Sequence, residues 1–141
     1  MKKLIVLVLF VTASFGAWAQ AGDAIIGKWL NPTGEDQIFI YKKGDKYFGK
    51  LGWIKVPDEN GKPKMDKNNP DPALKTRPDL NLELLKDFIY DDGTYKDGTI
   101  YDPKSGKTYS CKMTLNGNVL KIRGYIGISL FGRTEEWTKV K

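Results

Sequence analysis

Lys107-Thr108-Tyr109-Ser110-Cys111-Lys112-Met113-Thr114-Leu115-Asn116-Gly117-Asn118-Val119-Leu120-Lys121-Ile122-Arg123-Gly124-Tyr125-Ile126 is the stretch that decides the fold. In its first half Tyr109, Cys111, Met113 and Leu115 alternate with Ser110, Lys112 and Thr114. A period of two predicts a strand with one buried face. Asn116-Gly117 follows, and this pair tolerates the positive φ of a two-residue hairpin turn. Asn118–Ile126 then returns as the partner strand.

The same grammar extends in both directions. A glycine-rich bend (Gly127 to Gly132) leads into a last strand, Arg133–Val140. Upstream, Asp87–Tyr90 and Tyr95–Tyr101 are joined by Asp91-Asp92-Gly93, and Asp102-Pro103-Lys104-Ser105-Gly106 is a further turn. Ile25–Leu30 ends at Asn31-Pro32-Thr33-Gly34. Gln37–Lys43 and Lys46–Lys55 form a hairpin, with Tyr47, Gly49, Leu51 and Trp53 expected on the core face opposite Lys50. Leu80–Lys86 reads as a helical turn or a poor strand. The predicted fold is all-β, a single antiparallel up-and-down barrel of about eight strands, because closure removes exposed edges. Such a barrel has an interior just wide enough for side chains or one small ligand.

From Val56 to Asp79 no interior strand is expected, since Pro57, Pro63, Pro70, Pro72 and Pro78 cannot donate to a ladder. A loop this long within a compact domain is uncommon. It reads as a cap or recognition surface at the barrel mouth, or as a structural belt. Asx turns and an Arg77–carboxylate pair explain most of its Asp66, Asn69 and Asp71, which favours the belt.

Composition narrows the chemistry. The 141 residues include one cysteine and no histidine, which excludes imidazole bases, Ser–His and Cys–His nucleophiles and His-ligated metals. Glu135 and Glu136 are adjacent, so a strand sends them to opposite faces and they cannot act as paired acids. Cys111 has no disulfide partner and is expected to behave as a small hydrophobe. The net charge of +6 is spread among acids without a basic block, so no nucleic-acid partner is expected. No cofactor and no metal site is expected; the Asp58–Asn60 and Asp66–Asn68 runs lack the glycine and glutamate of a calcium loop.

The first residues read as an address. Met1-Lys2-Lys3, the apolar run Leu4–Val11 and Ala17-Trp18-Ala19 make the three-part pattern of a Sec signal peptide, residues 1–19. The run is too short for an integral membrane anchor. Residues 20–141 are then one exported domain, periplasmic or extracellular.

Gly27-Lys28-Trp29 near the start and Trp137-Thr138-Lys139-Val140 at the end resemble the calycin pattern of lipocalins and fatty-acid-binding proteins. There an indole plugs the closed end beneath an arginine of the final strand; here Lys139 stands in the cation's place. An ordered set covers nearly the whole chain after the leader: Asp66 to Leu74, Arg77-Pro78, Gly98 to Pro103, Gly106 to Tyr109, Leu120 to Gly127 and Gly132 to Trp137. It resembles the bacterial exported family known as domain of unknown function 2147. The resemblance implies a lipocalin-like barrel outside the cytoplasm, and it implies no activity.

The side chains suggest a non-enzymatic binding module for a small amphipathic or apolar ligand. Inward Leu51, Trp53, Tyr109, Met113 and Ile122 would supply contact area, with Tyr101 and Tyr125 as further aromatics. Arg77, Arg123 or Arg133 would meet a polar head group. Ordinary ion pairs compete as the role of Arg123 and Arg133. The alternative is a solid barrel that contacts a protein or an envelope glycan through its proline-rich segment.

Overall fold

The computed structural model describes residues 21–141; the expected signal peptide lies outside the described residues. Ten strands follow one another: β1 (Gly27–Leu30), β2 (Asp36–Lys43), β3 (Lys46–Ile54), β4 (Asp58–Glu59), β5 (Lys62–Pro63), β6 (Glu83–Asp91), β7 (Thr94–Asp102), β8 (Lys107–Asn116), β9 (Val119–Tyr125) and β10 (Gly132–Lys139). Eight close into an antiparallel barrel in the order β1-β10-β9-β8-β7-β6-β3-β2, and β4 and β5 form a separate ribbon. The all-β, up-and-down architecture read from the sequence is the architecture observed.

The β8–β9 hairpin has the expected register. Met113 faces Ile122 and Leu115 faces Leu120 across Asn116-Gly117, and Cys111, Met113, Leu120 and Ile122 are buried. Burial pushes the Cys111 thiol up to about 12, so it stays a neutral apolar group.

Departures from simple alternation come from bulges in β3, β6 and β7. Ile38 pairs with Leu51 while Gln37 pairs with Trp53, so Gly52 is an extra residue in β3. It reverses the parity: Ile54 turns inward and Trp53 is 38% exposed, not on the core face with Tyr47 and Leu51. A Cβ on Gly52 would sit 2.3 Å from the Phe39 ring, which fills that space. In β6, the register against β3 shifts twice, and Asp87 adopts φ 63°. Leu84 and Leu85 are both buried as a result, and the strand begins at Glu83, before the Asp87–Tyr90 stretch that the sequence marks as one.

The interior is one continuous cluster that includes Trp29, Ile38, Leu51, Leu85, Phe88, Tyr95, Met113 and Trp137. At one end, a single 3-10 turn (Asp23–Ile25) lies across the barrel. Trp29 Nε1 donates to the Ile25 carbonyl at 2.9 Å, and Tyr95 Oη donates to the Gly22 carbonyl at 2.7 Å. Tyr47 Oη donates to Asp23 at 2.6 Å. Lys139 pairs with Trp29 in register and holds its ammonium 5.6 Å from the indole, as the Gly27–Trp29 and Trp137–Lys139 pattern implies. This is the plugged end. The other end carries the connections 31–35, 55–82, 103–106 and 126–131.

Candidate functional site

The proline-rich segment is organised by one carboxylate. Asp66 is fully buried (0% exposed), and accepts from Tyr101 Oη at 2.6 Å, Asn69 Nδ2 at 2.8 Å and Arg77 Nε at 2.9 Å. Burial pushes the carboxyl up, but those hydrogen bonds and the guanidinium charge outweigh it, so the group lies below its ordinary 3.8. The Arg77 guanidinium sits 5.9 Å from the Tyr101 ring centre. Asn69 Oδ1 accepts from Asp71 N, and Asp71 Oδ1 accepts from Ala73 N to start a 3-10 turn, Pro72–Leu74. Asn68 Nδ2 reaches the Lys104 carbonyl at 2.9 Å. Tyr101 alternates with inward Ile100, so the segment covers the outside of β7 as well as the loop end. The polar groups of Asp66, Asn69, Asp71 and Arg77 are engaged with one another, which is the geometry of a belt.

A cleft of about 320 Å³ opens beside the belt, lined by Glu35, Asp36, Ile54, Lys55, Val56, Lys64 and Lys104. Only Ile54 and Val56 offer apolar wall, unlike the usual site for an amphipathic molecule. Burial raises the Asp36 carboxyl, opposed by the Lys104 charge. Nearby, Asp79 has a buried Oδ1 with no partner among the described residues, and burial followed by the Asp66 charge raises its carboxyl. A raised native value means the ionised form is penalised on folding; that penalty is full well above the native value and absent below 3.8. Asp79→Asn is therefore expected to stabilise the protein by about 1 kcal/mol at neutral pH. Thermal melts should show the gain shrinking to nothing in acid; a gain that persists there refutes the assignment.

The second region is the part of the barrel interior nearest the loop end, between β7 and β10. Along each of these strands the inward series runs from buried to half-exposed: Gly98 to Ile100, Cys111 to Tyr109, Ile122 to Gly124, and Trp137 to Glu135. Arg133, next on the inward series of β10, is exposed and faces Gly124. These groups converge: a Cβ on Gly124 would lie 3.5 Å from Ile100 Cγ2 and 3.6 Å from Tyr109 Cβ, ordinary contact distances. Trp137 Nε1 donates to Glu135 at 3.2 Å, and Glu136 points the other way, 3.9 Å from Lys121 Nζ. On its far side β10 pairs with β1 only at Thr138 and Lys139, so its Gly132–Trp137 edge has no strand beside it among the described residues. The inward half-exposed set lies next to that gap.

The remaining expected residues fall elsewhere. Leu51, Met113 and Ile122 are core, and Trp53 faces outward. Tyr125 pairs with Ser110 and Gly132 on the outer face. Arg123 forms no carboxylate pair among the described residues; its Nε donates to the Ser129 carbonyl at 2.6 Å, Nη1 to Thr134 Oγ1 at 2.7 Å and Nη2 to the Leu130 carbonyl at 3.3 Å. Those three donors are spent on the chain itself. Of the arginines, only Arg133 stands at the half-open interior, joined by Ile100, Gly124 and Glu135, which the sequence reading did not single out. The signal was available: the inward alternation of β9 runs Leu120, Ile122, then a residue with no side chain.

Among the described residues no cluster of three or more carboxylate or thiol side chains is placed to hold a metal, and no helix is long and apolar enough to cross a membrane. Curated proteins yield no match to this sequence. Among solved structures, the fold is similar to protein HP1028 from the human pathogen Helicobacter pylori, described as belonging to the lipocalin family. The TM-score is 0.72 at 24% identity, covering 82% of each chain, a likeness of fold. Residues 27–139, which span all eight barrel strands, match the family described as "Uncharacterized protein conserved in bacteria (DUF2147)", and the chain belongs to that family.

Proposed function

We propose that the protein is an exported, non-enzymatic binding protein that takes a small amphipathic molecule at the half-open end of its barrel. The observation that carries this reading is the convergence of half-exposed inward groups beside the unpaired edge of β10. Ile100, Tyr109 and the bare backbone of Gly124 offer apolar surface, and Arg133 at the rim suits an anionic head group. Glu135 beside it favours a ligand that also carries a donor. The signal-like start of the sequence supports export. The absence of histidine from the sequence and the opposed directions of Glu135 and Glu136 support binding without turnover. Recognition through the proline-rich segment is the weaker reading, because Asp66, Asn69 and Arg77 bond to one another.

Native mass spectrometry of protein purified from its own host tests this. Retained ligand should appear as added mass. Gly124→Leu, which fills the space between Ile100 and Tyr109, should remove it with little change in melting temperature. Arg133→Ala should reduce occupancy about tenfold, the loss of one charge-assisted hydrogen bond. Added mass retained in full by Gly124→Leu would move the site elsewhere.

A further inference from the structure

Between β9 and β10 the chain runs Ile126-Gly127-Ile128-Ser129-Leu130-Phe131, and the four large apolar side chains are 57–76% exposed. Most of the molecule's apolar bulk is inside, so a contiguous group of this kind is a surface with a task. It is also a built element. Arg123 holds the Ser129 and Leu130 carbonyls, Lys112 Nζ donates to Ser129 Oγ at 3.3 Å, and Ser129–Phe131 makes a 3-10 turn. The polar groups of the loop are thus tied back to the barrel wall while its apolar tips face solvent.

The stretch of sequence that runs into and out of the loop is basic up to Glu135. Between Asp102 and Glu135 the sequence holds Lys104, Lys107, Lys112, Lys121, Arg123 and Arg133 and no carboxylate, although the whole chain has 17. Lys112 and Arg123 stand directly opposite each other in register and both donate to the loop, which places two like charges together behind its apolar tips. We propose that this loop docks the protein on an anionic lipid surface, with Ile126, Ile128, Leu130 and Phe131 entering the acyl boundary and Lys107 and Lys112, supported by the charge of Arg123, drawing lipid phosphates. One apolar insertion or one basic patch alone binds lipid weakly; the pair together is the effective combination. A second copy fits less well, since four side chains offer only a few hundred Å², against about 800 Å² per partner in a stable dimer. Lipid docking by the loop and ligand occupancy of the barrel end are separate properties.

Sedimentation with vesicles tests the proposal, comparing pure phosphatidylcholine with equal parts phosphatidylcholine and phosphatidylglycerol. The protein should pellet with the anionic vesicles and not the neutral ones, and salt should release it. The double variant Leu130→Ser, Phe131→Ser should lose about tenfold or more in vesicle affinity. Its melting temperature should stay unchanged, because both side chains are exposed. Equal pelleting of the double variant and its parent overturns insertion. No pelleting with either vesicle overturns the proposal, and it then passes to a protein partner or a second copy if self-association disappears in the double variant.

Discussion

Asp66→Ala is expected to lower the melting temperature by about 10 °C or more, a loss near 3 kcal/mol for a domain of this size. Deleting the carboxylate leaves Tyr101 Oη, Asn69 Nδ2 and the Arg77 guanidinium without their shared acceptor beneath the proline-rich segment. Part of the Arg77 side chain reaches water, which limits the cost of stranding its charge. Asp66→Asn, which keeps the volume and loses the charge, should fall between the two. The pH dependence has a definite sign. A native value below 3.8 contributes stability that is complete at neutral pH and is lost as pH falls from about 4 through the native value. Acid melts of the parent should show that loss, and Asp66→Ala should lack it. A change in stability below about 1 kcal/mol would mean that the belt is held by something other than this carboxylate.

Trp29→Ala is expected to cost about 3–5 kcal/mol, the range for emptying a large buried aromatic site. The indole is completely buried, bonded through Nε1 to Ile25 and overlain by Lys139, so its removal opens the plugged end. Where Trp29→Ala fails to accumulate as folded protein, Trp29→Phe serves: it keeps the ring, loses the hydrogen bond, and should cost about 1–2 kcal/mol by urea denaturation. Lys139→Arg should be neutral or slightly stabilising, because a planar guanidinium stacks on the indole better than an ammonium. A Trp29→Phe variant as stable as its parent would remove the plug from the list of supports.

The barrel was legible in the sequence because most of its strands keep a clean period of two and its turns carry Asn-Gly, Asp-Gly and Pro-rich punctuation. Lys107–Ile126 needed nothing else. Legibility failed where one extra residue entered a strand. Gly52 reversed the facing of Trp53, and the bulges around Leu84 and Asp87 blurred the first half of β6, of which only Asp87–Tyr90 reads as a strand, since a period count cannot recognise an inserted residue. The candidate site was half visible. Tyr109 and Arg133 were named from residue type, and alternation from buried neighbours places both inward. Ile100, Gly124 and Glu135 enter only with the pairing of four strands, which local pattern does not supply. Arg77 pairs with a carboxylate as the belt reading expects, whereas Arg123 shows the converse: residue type suggested a ligand anchor or an ion pair, but it bonds to a loop whose course no periodicity describes.

The seam between β1 and β10 joins the first and last barrel strands through two register pairs and a single further backbone bond, Val140 N to the Lys28 carbonyl. Every other barrel strand can find a sequence neighbour or near neighbour as soon as it is synthesised. Closing the cylinder therefore joins strands far apart in sequence through few bonds, and removal of Trp137–Lys139 is expected to take away both register pairs of the seam.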